Sequence, residues 1–138
     1  MKTLATLSIL FFFAFGLKAQ EGEKTVTESG LTYIKLKEGT GQKVNNGDKV
    51  KIWFVGRLSN GKVFDQTPKG AKFVVGDKGV IPGFNEALTL MSLEERAKFI
   101  LPPNLGYGEK GSKDMLIGEH TIPPNETISF EILVMKIY

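Results

Sequence analysis

The sequence predicts an α+β domain, a bent antiparallel β-sheet of five to six strands wrapped around one short α-helix. Three observations predict it. Beyond residue 30, segment after segment alternates apolar and polar residues with the period of two that a half-buried strand requires. Only Gly83 to Met91 spaces its apolar residues for a helix. The stretch "LSNGKVF" carries a hairpin signal between two apolar runs. A twisted sheet with one apolar face needs a cover, and this helix is the one on offer. The sheet is therefore expected to wrap the helix and leave one end of the core open.

In chain order, "LTYIKLK" places Leu31, Tyr33 and Lys35 on one side, with Thr32, Ile34 and Leu36 on the other. Two turns, "EGTGQ" and "NNGDK", precede a long strand, "VKIWFVGRL". Its Val50, Ile52 and Phe54 share one face, while Lys51, Trp53 and Val55 share the opposite one. Asn60-Gly61 suits a type I′ turn, in which both central residues need positive φ. "AKFVVG" is a further short strand. Phe84, Ala87, Leu88 and Met91 form the apolar face of the helix. "ERAKFILP" sets Ala97, Phe99 and Leu101 against Arg96, Lys98 and Ile100, and the last strand aligns Ile128, Phe130, Ile132 and Val134.

The 138 residues suffice for one domain. The first twenty differ in kind: Lys2 precedes a largely apolar stretch, Leu4 to Leu17, and then the small Ala19. The stretch is shorter than the roughly 20 residues of a membrane span and has the layout of a secretory signal. Residues 1–19 are expected to be a signal peptide, 20–29 a flexible N-terminal lead, and 30–138 the folded domain. An exported, periplasmic protein is expected; a tether through an uncleaved N-terminus, or secretion, are the alternatives. With no cysteine, a lipidated N-terminal Cys, disulfides and Cys-His chemistry are excluded. The formal charge of +3 includes Lys2 and Lys18, and without them the chain is nearly neutral. No block of like charge remains, so a nucleic-acid partner is not implied.

Catalytic side chains are sparse. His120 is the single histidine and reads as a loop residue, which gives no zinc set; no metal or cofactor is expected. No serine has a nucleophile-elbow context, and neither Gly39–Gly41 nor Gly108–Gly111 follows a strand into a helix as a phosphate loop does. Asn125-Glu126-Thr127 fits the glycosylation sequon, which is short enough to arise by chance. What stands out is a set of aromatics near breaks: Phe54, Phe64, Phe84, Tyr107 and Phe130. Taken singly, each reads better as ordinary core. Their companions favour a site, because Asp65 follows Phe64 at a strand end, Gly106 and Gly108 bracket Tyr107, and Ile122 precedes Pro123-Pro124.

Five stretches now carry a resemblance: "GRLSNGKVFDQT", "GVIPGFNEAL", "MSLEERAKFILP", "LGYGEKG" and "IPPNETISFEILVMKI". In this order, from about Gly30 to Tyr138, they resemble the FKBP-type peptidyl-prolyl isomerases, the macrolide-binding immunophilins. The resemblance implies that 30–138 is an FKBP-type isomerase domain with a bent sheet around a short helix. It implies peptidyl-prolyl cis-trans isomerisation during the folding of exported proteins, with proline-containing unfolded or partly folded polypeptides as substrates. The alternative is a proline-binding chaperone or adaptor with little catalysis. Macrolides of the FK506 and rapamycin type are implied as weak ligands, and no cofactor, metal or nucleic acid.

Carried over by position, the resemblance makes Phe84 the floor under the proline ring, Tyr107 a donor to a substrate carbonyl, and Asp65 the polar group beside it. Phe54, Phe64, Val80, Ile81, Ile122 and Phe130 become substrate-binding walls, with backbone groups of Val80 and Ile81 at the rim. Phe84 replaces the family's usual Trp, and Phe54 its usual Tyr. Ala71 is read where an aromatic is expected on the strand after "TPKG", and the Tyr107–Pro123 segment is longer than in minimal members. A wider and less polar pocket is expected. Asp65, buried without the tyrosine hydroxyl, is expected to need another donor or a water.

Overall fold

A computed structural model describes residues 22–113 and 120–138. The expected signal peptide lies outside the described residues, as do residues 114–119 of the longer loop. The elements are β1 (Lys24–Val26), β2 (Thr32–Lys37), β3 (Lys49–Leu58), β4 (Val63–Gln66), β5 (Ala71–Val74) and α1 (Pro82–Thr89). They continue with β6 (Arg96–Leu101), a 3-10 turn (Pro103–Leu105), β7 (Ser112–Lys113), β8 (His120–Ile122) and β9 (Ile128–Ile137). One sheet of seven strands runs β1-β2-β6-β9-β3-β4, with β5 also on β3, and every neighbour is antiparallel. Strands β7 and β8 form a separate ladder, so the backbone of His120 is in a strand where a loop was expected.

The alternation read from the sequence puts the expected residues inside. Val50, Ile52 and Phe54 of β3, Ala97, Phe99 and Leu101 of β6, and Ile128, Phe130, Ile132 and Val134 of β9 are all buried. Against them lies the expected face of α1 and the residues just after it, with Phe84, Ala87, Leu88 and Met91 buried. Each of the larger of these side chains, the alanines aside, contributes roughly 1.5–3 kcal/mol by leaving water. The helix starts one residue early, at Pro82, because proline's fixed φ suits the first helical position and its missing N–H has no partner to lose there. Glu95, nearly fully buried, accepts from the Tyr33 hydroxyl at 2.6 Å, and Tyr33 stacks on Phe99 at 5.1 Å. That polar contact fastens β2 to β6 without leaving a buried carboxylate unpaired.

Three local expectations change. Within the lead, residues 24–26 are paired: β1 joins β2 in the register Lys24↔Ile34 to Val26↔Thr32. Its polar composition does not prevent this, because an open strand edge recruits main chain whatever the side chains. Thr27 and Ser29 then donate to the Glu86 carboxylate on α1 at 2.6–2.8 Å. The hairpin at Asn60-Gly61 is not type I′. Gly61 has φ 88°, whereas Asn60 is not among the positive-φ residues. Gly61 N–H donates to Leu58 O at 2.9 Å and Leu58 N–H to Lys62 O at 2.8 Å. This is a turn followed by one left-handed residue, the three-residue form of hairpin. Asn60 supports it by accepting from Lys62 N–H at 2.9 Å. The strand count exceeds five to six because β1 adds to the sheet and one edge is split in two.

That split edge positions the site. Strand β5 pairs with Lys49–Ile52 of β3 and β4 with Val55–Arg57, leaving a gap opposite Phe54. Thr67 fills the gap: its N–H donates to Phe54 O at 3.0 Å, and its Oγ1 accepts from Phe54 N–H at 3.0 Å. Phe54 thereby keeps a satisfied backbone on an interrupted edge.

Glu94 holds φ 65° in the turn before β6, where it donates its N–H to Val134 O at 2.8 Å. A side chain in this region is strained by about 1–2 kcal/mol, and glycine is not. Glu94→Gly is therefore expected to raise stability by up to about 1 kcal/mol, after the entropy glycine adds to the unfolded chain. Urea unfolding checks this through a higher midpoint at unchanged slope.

Candidate functional site

Between the inner face of the sheet and the first turn of α1 lies a cavity of about 210 Å³. Phe54 of β3 and Phe130 of β9 face it from neighbouring strands, with ring centroids 5.7 Å apart. Phe84, in the first turn of α1, closes the triangle at 5.3 Å from Phe54 and 5.0 Å from Phe130, edge to face at 72° and 77°. Phe73 of β5 joins Phe54 at 6.0 Å and Phe84 at 5.6 Å. From β4, Phe64 meets Phe130 at 5.6 Å and Tyr107 at 6.3 Å, again edge to face. Six rings thus form one connected network from four strands, the helix and the loop after the 3-10 turn. Such pairs are worth about 0.5–1.5 kcal/mol each beyond their buried area, so the network fixes ring orientations as well as volume. Larger grooves of about 360, 310 and 260 Å³ lie elsewhere: charged side chains such as Glu23, Lys35, Arg57 and Lys98 line much of the first and last, and the 310 Å³ groove, between Trp53, Arg96, Leu133 and Met135, lies on the outer face of the sheet.

The rim is polar at a few points. Val80 and Ile81 lead into α1, and both are half-buried cavity residues. Ile81 O accepts the first helical N–H groups, from Phe84 and Asn85, and Val80 N–H donates to Asp77 O. Among the described residues no acceptor takes the Ile81 N–H. Tyr107 follows the 3-10 turn, where Gly106 and Gly108 both donate to Pro103 O and hold the loop tight. Burial first, and the Asp65 charge second, push the Tyr107 hydroxyl above its ordinary value of 10.0. The hydroxyl therefore stays protonated, a donor throughout the neutral range.

Of the residues named from the sequence, Asp65, Phe54, Val80, Ile81, Phe84, Tyr107 and Phe130 line this one cavity. Phe64 and Ile122 do not. Phe64 braces Phe130 and Tyr107, while Ile122 is buried in the core at the end of β8. Asp65 is exposed rather than buried, so it avoids the expected desolvation cost, and its Oδ1 accepts from Gln66 N–H at 2.8 Å. The aromatic of the strand after "TPKG" is Phe73, not Ala71. Residues two apart share a strand face, so alternation alone accepts either one, and only the position along β5 separates them. Phe73 also removes one of the grounds for a widened pocket. Gly79, at the rim, carries no side chain that a sequence reading could have flagged.

An antiparallel sheet packed on a short helix, with an aromatic cavity and a tyrosine hydroxyl at its rim, characterises the class of this domain. Comparison with known proteins makes the class specific. The family described as FKBP-type peptidyl-prolyl cis-trans isomerase matches residues 40–135. FK506-binding protein 4 of Chaetomium thermophilum is 37% identical over 122 residues, which are 87% of this chain and 23% of that protein. The FKBP-type 22 kDa peptidyl-prolyl cis-trans isomerase of Escherichia coli is 37% identical over 114 residues, 80% of this chain and 52% of that one. The chain thus spans about half or less of the length of these relatives. A crystal structure of a peptidyl-prolyl cis-trans isomerase from Pseudomonas syringae superimposes with a TM-score of 0.73 at 29% identity, over 83% of this chain and 80% of that one. The chain belongs to the FKBP-type peptidyl-prolyl cis-trans isomerase family.

Proposed function

We propose that the chain is a peptidyl-prolyl cis-trans isomerase acting on proline-containing unfolded or partly folded polypeptides, with 30–138 as the catalytic domain. The aromatic cavity between β3, β9 and α1 carries the reading. An X-Pro bond turns over a barrier of about 18–20 kcal/mol because resonance gives its C–N bond partial double character. Twisting the amide removes that resonance and much of its charge separation, so the twisted amide loses less than the planar one on leaving water. A dry aromatic cavity gripping the proline ring therefore favours the twisted state, and only such differential binding lowers the barrier.

Each residue has a part. Phe84 forms the floor, with Phe54, Phe73 and Phe130 as walls and Val80 and Ile81 as the rim. Tyr107 and the Ile81 N–H donate to substrate carbonyls, and Asp65 supplies polarity at the edge. FK506- and rapamycin-type macrolides are secondary ligands of the same cavity. The N-terminal sequence supports export to the periplasm, where the clients are other exported proteins.

A protease-coupled proline-peptide assay on residues 20–138 tests the activity. Acceleration over the uncatalysed rate is expected. An uncatalysed rate with proline-peptide binding retained would replace the enzyme by a binding module. Tyr107→Phe is expected to lower kcat/KM about 3- to 10-fold, the worth of one neutral hydrogen bond. Because the hydroxyl titrates above 10.0, wild-type kcat/KM is expected to show no Tyr107 limb up to that pH. A decline near neutral pH that Tyr107→Phe abolishes would show that the assignment is wrong.

A further inference from the structure

On the face of the sheet opposite the aromatic cavity, β3, β5 and β9 bring lysines side by side. Lys51 is the direct cross-strand partner of both Lys72 and Lys136. Lys49 lies two residues before Lys51 on the same face, where its carbonyl accepts from Tyr138 N–H at 2.9 Å. The Tyr138 ring lies within cation–π range of three of them: Nζ of Lys136 at 4.6 Å, Lys72 at 5.0 Å and Lys49 at 5.9 Å from its centroid. Among the described residues, ion pairs engage Lys35 and Arg96, and none engages these four lysines. Like charges directly opposite on a sheet oppose folding, and no ion pair among the described residues offsets them here.

The bland account is that edge strands carry lysine to prevent pairing with other chains. It covers Lys72 on β5 and fails for Lys51 and Lys136, because β3 and β9 are interior strands. A second observation narrows the partner. Among the described residues five large hydrophobics are exposed, and three of them, Val74, Met135 and Tyr138, belong to this patch. Val74 pairs with Lys49, and the space beside Gly70 is shared by Met135 Sδ and Lys51 Cε. Nucleic acid or an acidic peptide would reward the lysines but not exposed aliphatic groups. An anionic lipid surface rewards both: lysine heads meet the phosphates, while tyrosine and aliphatic groups enter the headgroup region.

We propose that this face docks the domain on anionic phospholipid, leaving the aromatic cavity on the opposite side of the sheet for polypeptide. The inference is independent of the isomerase reading, since the patch shares no residue with the cavity.

The test is co-sedimentation of the full chain with phosphatidylcholine–phosphatidylglycerol vesicles and with phosphatidylcholine vesicles, at low and high salt. One variant carries Lys49→Gln, Lys51→Gln, Lys72→Gln and Lys136→Gln. A second carries Val74→Ser, Met135→Ser and Tyr138→Ser. All proteins share the same N-terminal segment, so differences between them report the patch. The lysine variant is expected to bind anionic vesicles about 10-fold or more weakly, and high salt to weaken the wild type similarly. Its Tm should be equal or higher, because repulsion has been removed, which separates lost binding from lost folding. The serine variant is expected to lose vesicle binding while eluting from heparin like the wild type. Equal vesicle binding by the lysine variant and the wild type overturns the proposal. So does a serine variant that binds vesicles like the wild type, which would make the patch a general polyanion site.

Discussion

Replacing Phe84 with alanine is expected to lower kcat/KM about 100-fold or more, a loss of about 2.7 kcal/mol in transition-state binding. The ring is 3% exposed and packs against Phe54, Phe73 and Phe130 at 5.0–5.6 Å. Its removal is also expected to destabilise the fold by about 3–5 kcal/mol, as for other buried phenylalanines. The two effects separate with Phe84→Leu, which keeps most of the apolar volume and removes the flat surface. If Phe84 is the floor on which a proline ring rests, Phe84→Leu loses activity out of proportion to stability. Phe84→Trp adds a partner, because the larger ring can extend into the adjoining 210 Å³ cavity; it is expected to keep or raise activity. Urea unfolding gives the folded fraction of each variant, and the coupled assay is corrected for it. Unchanged corrected activity in both Phe84→Ala and Phe84→Leu would remove Phe84 from the site.

Period-two alternation identified the inner faces of β3, β6 and β9 because burial on one side of a sheet dictates side-chain pattern at every second residue. The helical face of α1 was legible for the corresponding reason at period 3.6. Cavity residues that also pack into the core, such as Phe54, Phe84 and Phe130, were visible for this reason too. Alternation does not fix position along a strand, which is how Ala71 stood in for Phe73. Nor does it reveal pairing driven by main chain alone, which is why the polar β1 read as a tether. The exposure of Asp65, which lies opposite Gly56 on β3, is a tertiary fact with no local signature. The lysine cluster was equally hidden, because Lys51, Lys72 and Lys136 are far apart in sequence and meet only through register.

Gly56→Ala is expected to damage the site from outside the cavity lining. Gly56 is opposite Phe130 on β9 and Asp65 on β4. A Cβ added there would lie 2.8 Å from Phe130 Cε1 and 2.8 Å from Phe64 Cζ, both too close. The missing side chain is what lets these two rings meet at 5.6 Å across the strand. With alanine one ring must move. Phe130 is held by Phe54 at 5.7 Å and Phe84 at 5.0 Å, whereas Phe64 is only half-buried, so Phe64 yields. Tyr107 leans on Phe64 and shifts with it. The expected result is about 1–3 kcal/mol of destabilisation from overpacking. With it comes a fall in kcat/KM at least as large as that of Tyr107→Phe. A double-mutant cycle isolates the cause: Phe64→Leu withdraws the Cζ atom and should restore much of the stability lost in Gly56→Ala. Coupling of about 0.5–3 kcal/mol is expected for residues in direct contact. Strict additivity, with activity lost equally in the single and double variants, would mean that Gly56 acts through the β3 backbone and not through the rings it separates.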